Sequence, residues 1–410
     1  MAGPKCRAPV VVGPARATRE GEVRRVTAEV DGEPAWIESA DCDLLPAPEA
    51  FASAFLLPAL HRGAPLEVAG PLDPAWLANV EQLMWIWQDW WEYPVLLPRA
   101  PGAPEPAPAG RRVNGEDALA GRGPTAPAPS AAPGSGPAVR PGVALFFSGG
   151  VDSFYSLLRC GAGPDRLVAV QGFDVALGDE PRMTALEGSL REVARARGLK
   201  AVVAHTNIRD HHLMRKAPWG RTHGGGMAAV GHALGDGVTE ALISSSVALN
   251  RRHKWGSHWA TDPLFGSGRL ALRELGMEVK RLDKLRTLTD EPLVRRHLRV
   301  CWENRSAAGN CSHCGKCVMT RLVLHDCGVL DEFPVFEGTA TLARDLDAYP
   351  VNTGFLNQLE ALAASPRLDP EVLRATRDLL KRSRHAQRWD VKHRRALLKT
   401  LLRWTGRAPS

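Results

Sequence analysis

The sequence contains no stretch approaching the ~20 apolar residues needed to span a bilayer, and its start, Met1–Ala2–Gly3–Pro4–Lys5–Cys6, has no long apolar h-region. The first absence argues against a transmembrane helix and the second against a secretory leader, so the expectation is a cytoplasmic protein with no membrane partner. Cysteine is sparse, eight in 410 residues, and without a leader it does not read as a disulfide framework. Strong charge of one sign is also missing. The 52 Lys and Arg against 45 Asp and Glu leave +7, which suits an anionic ligand but by itself marks only a solvated basic face, not a nucleic-acid binder. What remains, 44% hydrophobic and 24% charged, is the composition of a globular chain long enough for two or three domains.

The stretch around which the chain is organised is Val143–Ala144–Leu145–Phe146–Phe147–Ser148–Gly149–Gly150–Val151–Asp152–Ser153, followed by Phe154–Tyr155–Ser156–Leu157–Leu158. A short apolar run, a turn with paired glycines and a new apolar segment predict a buried strand, an anion-cradling turn and a helix. Gly149 and Gly150 remove the β-carbons that keep backbone N–H groups from converging on a phosphate. The helix that follows turns its unpaired amides and its dipole toward the same anion. Ser148 and Ser153 add hydroxyl donors. Asp152 would repel a phosphate directly but suits the Mg2+ that phosphates carry. The alternative is an ordinary serine-capped strand-to-helix turn. No lysine follows the glycines and no GxGxxG spacing is present, so the turn is neither a kinase-type phosphate loop nor a dinucleotide fingerprint.

Before this turn, Val23, Val26, Ala28 and Val30 predict short strands broken by Asp31–Gly32, with Ala35–Trp36–Ile37 as the next strand. Trp76, Leu77, Val80, Leu83, Met84, Trp87, Trp90 and Trp91 recur at helical spacing with no interleaved basic residues, which reads as core or as a domain contact rather than a base-stacking face. Residues 1–97 are therefore expected to form an accessory α+β domain. From 98 to 141 proline, alanine, glycine and serine dominate, the composition of a linker. After the turn, Leu167–Val170, Ala201–Ala204 and Glu240–Ser246 read as strands, with helices over Leu186–Arg197 and Gly224–Leu234. The alternation implies a doubly wound, mostly parallel α/β sheet over 142–336. Such sheets bind ligands at strand carboxyl ends, so Phe173, Asp174 and Asn207 are candidates for adenine, ribose or substrate. Phe173 is equally a core residue, and Asp174 and Asn207 are equally turn formers or caps. His211, His212 and His223 read as structural histidines or proton carriers. The loop Arg251–Pro263 is a candidate active-site wall in which Arg251, Arg252 and Lys254 could fix an anion and Asp262 could take a proton.

Cys301, Cys311, Cys314 and Cys317 form a C-x9-C-x2-C-x2-C set. Four thiolates suit a closed tetrahedral Zn2+ site of structural type, and an iron–sulfur cluster has similar ligand needs. Cys6, Cys42, Cys160 and Cys327 read as ordinary thiols. From 337 to 410 the chain reads as helical and basic, and from Glu371 onward twelve arginines and lysines meet only Glu371, Asp378 and Asp390. This extension is a candidate surface for nucleic acid or an acidic protein, with a solvated face as the alternative.

Ser148–Gly149–Gly150–Val151–Asp152–Ser153 resembles the SGGxDS loop of the PP-loop ATP pyrophosphatase superfamily. Together with Cys301–Trp302–Glu303–Asn304 and Cys311–Ser312–His313–Cys314–Gly315–Lys316–Cys317, it looks like the ExsB/QueC branch, the 7-cyano-7-deazaguanine synthases and their relatives. The resemblance covers roughly 142–329. It implies an adenine nucleotide alpha hydrolase-like (HUP) domain and the cofactors ATP, Mg2+ and structural Zn2+. It places Ser148, Gly149, Gly150, Val151, Asp152 and Ser153 on ATP and Mg2+, with the four cysteines on zinc. The implied reaction is adenylation of a carboxylate or amide oxygen of a small molecule, then nitrogen transfer from ammonia to give an amide or nitrile. No N-terminal glutaminase pattern is seen at Met1–Ala2, so ammonia is expected free or from another protein. Adenylation-dependent sulfur transfer and a nucleotide-responsive scaffold are the alternatives, and homo-oligomers fit either.

Overall fold

A computed structural model describes residues 7–404 except 105, 111–140, 162, 250–252, 307, 308 and 352, and for 390–404 it describes the backbone alone. Cys6, Arg251, Arg252 and most of the proline-rich segment thus lie outside the described residues. The chain divides into two compact units, Met1–Arg281 and Leu282–Ser410.

The first unit is built on one ten-stranded sheet. Its strands are β1 (Val10–Val12), β2 (Arg16–Glu20), β3 (Val23–Val30), β4 (Glu33–Ser39), β5 (Leu66–Val68), β6 (Gly142–Phe146), β7 (Arg166–Gln171), β8 (Lys200–Thr206), β9 (Val238–Ser244) and β10 (Ala271–Leu275). Their order is β10-β9-β6-β7-β8-β4-β3-β1-β5, with β2 on β3. The five strands from β10 to β8 are all parallel. Taken from β6 onward their order is the doubly wound one, in which β6 lies at the reversal between β7 and β9. Ala144, Leu145 and Phe146 are all buried, as a strand covered on both faces requires. The architecture is therefore a mixed, mostly parallel α/β sheet of Rossmann-like order.

The sequence reading set residues 1–97 apart as an accessory domain, but the structure extends the same sheet with them. β4 pairs antiparallel with β8, Ile37 opposite Thr206 and Glu38 opposite His205. Thr206 Oγ1 donates to Trp36 O at 2.6 Å and Ser39 Oγ to Val203 O at 2.7 Å. β3 and β4 meet at Asp31–Gly32, both in the left-handed region (φ 49° and 83°) that a tight hairpin demands. The proline-rich segment also starts as part of this unit. Arg99 exchanges backbone hydrogen bonds with Leu66 and Val68 in β5 and pairs with Glu67 at 3.1 Å.

Helices α1 (Pro48–Arg62), α2 (Pro74–Trp91), α3 (Val151–Arg159), α4 (Glu180–Arg197), α5 (His212–Lys216) and α6 (Trp219–Ala233) cover the sheet. α2 opens on Pro74 after an Asp73 cap that accepts from the amides of Ala75 and Trp76. Trp76, Trp87 and Trp90 of its apolar stripe are buried in the core. α6 carries the run Gly224–Gly225–Gly226 because neighbours press on its backbone. A β-carbon at Gly224 would overlap Gly256 O, and one at Gly225 would overlap Ser53 O of α1.

The second unit is helical, with α7 (Arg281–Arg286, whose first residue still belongs to the first unit), α8 (Pro292–His297), α9 (Gly315–Asp326), α10 (Thr339–Ala348), α11 (Leu356–Ala363) and α12 (Pro370–Trp404). The boundary at 281/282 thus falls inside the 142–336 segment that the sequence reading treated as one domain. Val318, Leu322, Leu324, Phe333, Leu342, Leu346, Leu359 and Leu379 form its apolar interior.

Candidate functional site

β6 ends at Phe146, and Phe147 still bonds the neighbouring strand through Val168 O at 2.8 Å. The chain then turns. Ser148 is exposed, Gly149 takes φ 73°, and Gly150 becomes the N-cap of α3 with φ −80° and ψ 170°. A β-branched or bulky residue is strained at the Gly149 angle. Gly150 has no side chain with which to cap the first turn, so the amides of Val151, Asp152 and Ser153 receive no N-cap hydrogen bond from it. Ser153 Oγ donates back to Gly150 O at 3.0 Å and fixes the turn. These are the features of a backbone anion cradle, and they sit at the carboxyl end of the strand where the sheet order reverses.

Asp152 is buried, and its carboxylate is hydrogen-bonded to the guanidinium of Arg281. Sequence reasoning missed Arg281. It lies in no motif, and only the fold brings it to the turn. The pair puts a guanidinium and a carboxylate beside the cradle, one suited to phosphate oxygens and the other to a divalent cation.

The other candidates are held differently. Phe173, at the exit of β7, is buried against Trp219 with ring centroids 5.2 Å apart, and Asp174 beside it is exposed. Asn207 uses both ends of its amide within the protein: Oδ1 accepts from Trp36 N at 2.8 Å and Nδ2 donates to Pro34 O at 2.8 Å. It therefore fastens β4 beyond the end of β8 rather than offering polar atoms to a nucleotide. Lys254 Nζ donates to Trp90 O at 3.0 Å, capping the carboxyl end of α2. Asp262 is fully buried. It accepts from Ser257 Oγ at 2.5 Å and from His258 N at 3.1 Å. Burial pushes its carboxyl up to about 6, opposed by hydrogen bonds with Glu274, Ser257, His258 and Thr261. Its polar network, not an open cleft, accounts for it. His211 is likewise committed, with Nε2 to Val30 O at 3.1 Å and Nδ1 to Leu213 N at 3.3 Å.

In the second unit, the sulfurs of Cys301, Cys311, Cys314 and Cys317 all lie within 4.8 Å of one another. The separations Cys311–Cys317, 4.0 Å, and Cys301–Cys314, 3.9 Å, are close to the ~3.8 Å edge of a tetrahedron with ~2.3 Å metal–sulfur bonds. Cys314 N donates to Cys311 Sγ at 3.2 Å, as expected where a thiolate is stabilised. A hydrogen bond from the Cys317 thiol lowers the pKa of Cys314. The donor set fits a closed thiolate metal site. Ser312 enters the left-handed region, φ 63°, to fold the loop. Fully buried Arg321 supports it, donating to Ser312 O (3.0 Å), Glu337 O (2.9 Å), Gly338 O (2.9 Å), Thr341 Oγ1 (2.6 Å) and Asp345 Oδ2 (2.5 Å).

On α12 part of the basic excess is spent internally. Arg374 pairs with Asp347 at 2.6 Å, Arg384 with Glu360 at 2.8 Å, and Arg382 donates to Leu346 O at 3.0 Å and Tyr349 O at 2.9 Å. Beside them is a hollow of about 510 Å³ lined by Arg377, Leu380, Lys381, Arg384, His385 and Arg388. Among the described residues no helix is long and apolar enough to cross a membrane.

No family model matches the chain, and neither a curated protein nor a solved structure matches it.

Proposed function

We propose that the chain is an ATP pyrophosphatase of the SGGxDS type that transfers AMP to a carboxylate or amide oxygen of a small molecule. An amine nitrogen then displaces the AMP. The observation that carries this reading is the Ser148–Ser153 turn: an uncapped helix start, two glycines and an Asp152–Arg281 pair at the switch point of a doubly wound sheet. The five-strand parallel order is that of doubly wound sheets in general, which an adenine nucleotide alpha hydrolase-like core would share, and the chain would belong with the ExsB/QueC branch.

In this reading the amides of Gly150 to Ser153 hold the pyrophosphate as it departs. Arg281, released from Asp152, follows the charge that develops there. Asp152 would hold Mg2+, which when bound neutralises phosphate charge. The tetrathiolate site would hold zinc without an open position, and it would then serve folding of the second unit. Burial pushes the Cys42 thiol up to about 11 and also raises Cys327, which counts against these two as sulfur carriers. Neither thiol is a ready nucleophile. The test is pyrophosphate release from ATP–Mg2+ with candidate carboxylates, with and without ammonia. Acceptor-dependent release together with a product mass change supports the reading. ATP cleavage with no acceptor dependence, or none at all, counts against it.

A further inference from the structure

At the same carboxyl edge of the sheet, α6 carries an imidazole that the adenylation step does not use. His223 Nδ1 lies 3.0 Å from Trp219 O. A carbonyl oxygen only accepts, so the proton sits on Nδ1 and Nε2 carries the lone pair. Two indole rings flank it. The Trp219 centroid is 6.0 Å away, the Trp255 centroid is 5.4 Å away at 62°, and Phe173 packs on Trp219. His253 stacks on Trp255 at 5.3 Å.

Two glycines of the same helix let these rings reach its backbone. A β-carbon at Gly220 would lie 3.1 Å from the Trp255 ring, and one at Gly226 would lie 3.2 Å from the Phe173 ring. Trp255 is 38% exposed and His223 itself is only partly buried, so the cluster meets solvent. Two charges stand near it and oppose each other. Asp174 raises the imidazole's proton affinity and Arg209 lowers it, while burial, the largest cause, holds it below its ordinary range and therefore neutral at neutral pH. Arg209 is itself engaged, its guanidinium over the Trp219 ring at 4.8 Å and bonded to Phe173 O.

We propose that this aromatic box binds an uncharged amine, ammonia or a primary amine, and that His223 Nε2 accepts its proton. A fixed lone pair and π surfaces both favour a ligand that presents N–H groups, and the opposed charges of Asp174 and Arg209 suit a neutral one. The role in catalysis rests on the adenylation reading. One amine N–H is held by Nε2 while the nitrogen lone pair forms the bond to the activated carbon. The carbon–oxygen bond to AMP breaks with its electron pair, and the amine proton passes to Nε2 and then to solvent.

The test is nitrogen NMR of the 15N-histidine-labelled full chain at neutral pH, with the His223 signals identified by loss in His223→Asn. The probe is methoxyamine, which is uncharged under these conditions. The expected result is an Nδ1-protonated tautomer whose Nε2 signal shifts saturably, with affinity about tenfold weaker in Trp255→Ala. A proton on Nε2, no saturable shift, or a response to tetramethylammonium in place of methoxyamine overturns the proposal. ATP–Mg2+ binding measured by calorimetry on the same sample separates the two readings. ATP binding without amine binding sinks the box alone, and amine binding without ATP binding sinks the adenylation reading alone.

Discussion

The guanidinium of Arg281 bonds the carboxylate of Asp152 across 129 positions of sequence, so the first turn of α3 carries a paired anion and cation. The pair is only partly exposed, 12% for the Asp152 side chain and 24% for Arg281. If both groups act on the triphosphate, Asp152→Ala and Arg281→Ala should each lower pyrophosphate release by about 10²- to 10³-fold. The double variant should lose less than the product of the two, since each single change also strands its partner. Steady-state release assays on the four proteins check this, and strictly multiplicative losses would argue for independent roles.

Asn207 ties the N-terminal strands to the parallel sheet. Asn207→Ala removes hydrogen bonds to Trp36 N and Pro34 O and is expected to cost about 1–3 kcal/mol through the groups left unpaired. Because residues 7–97 share one sheet with β6 to β10, the loss should appear as a shift of one cooperative urea transition of the first unit. A separate early transition of the N-terminal segment would contradict a shared sheet.

Zinc analysis by mass spectrometry should find one ion per chain, lost in Cys314→Ser. Arg321→Met should lower the stability of the second unit by about 3–5 kcal/mol, because it leaves the buried Asp345 with only the more exposed Arg344, at 3.3 Å, and His313, at 3.5 Å, and frees the carbonyls of Ser312, Glu337 and Gly338. Circular dichroism during chelation checks both, and retained helix in metal-free protein would refute a folding role for the site.

His232 is fully buried, with Nε2 2.8 Å from Phe265 O, and burial lowers it to about 4 from 6.5. Its folded pKa lies below the unfolded value, so the unfolded chain takes up the proton first as pH falls. Stability is lost between about 6.5 and 4, by on the order of 3 kcal/mol for this group. His232→Gln should flatten this acid limb in urea midpoints measured across that window. An unchanged slope would show that other groups govern it.

The parts of the fold written in contiguous residues were legible in the sequence. The apolar run Val143–Phe147, the glycine turn and the stripe from Trp76 to Trp91 depend on local spacing, and they appear as β6, the turn before α3 and helix α2. What depended on distant partners was not legible. The pairing of Glu38 with His205 is set by long-range register, so residues 1–97 looked separate. Asn207 and Lys254 carry the chemistry of ligand contacts, and only their carbonyl and amide partners show them to be fasteners. Arg281 gave no signal at all. Gly224 to Gly226 were readable as helix, but the backbone of Gly256 and Ser53 that requires them was not.

The most direct measurement is a crystal structure of the chain with a non-hydrolysable ATP analogue and Mg2+. Phosphate oxygens are expected within hydrogen-bond reach of the amides between Gly149 and Ser153, with Arg281 turned from Asp152 toward them. An ordered triphosphate bound elsewhere, with the Asp152–Arg281 pair intact, would contradict the adenylation reading.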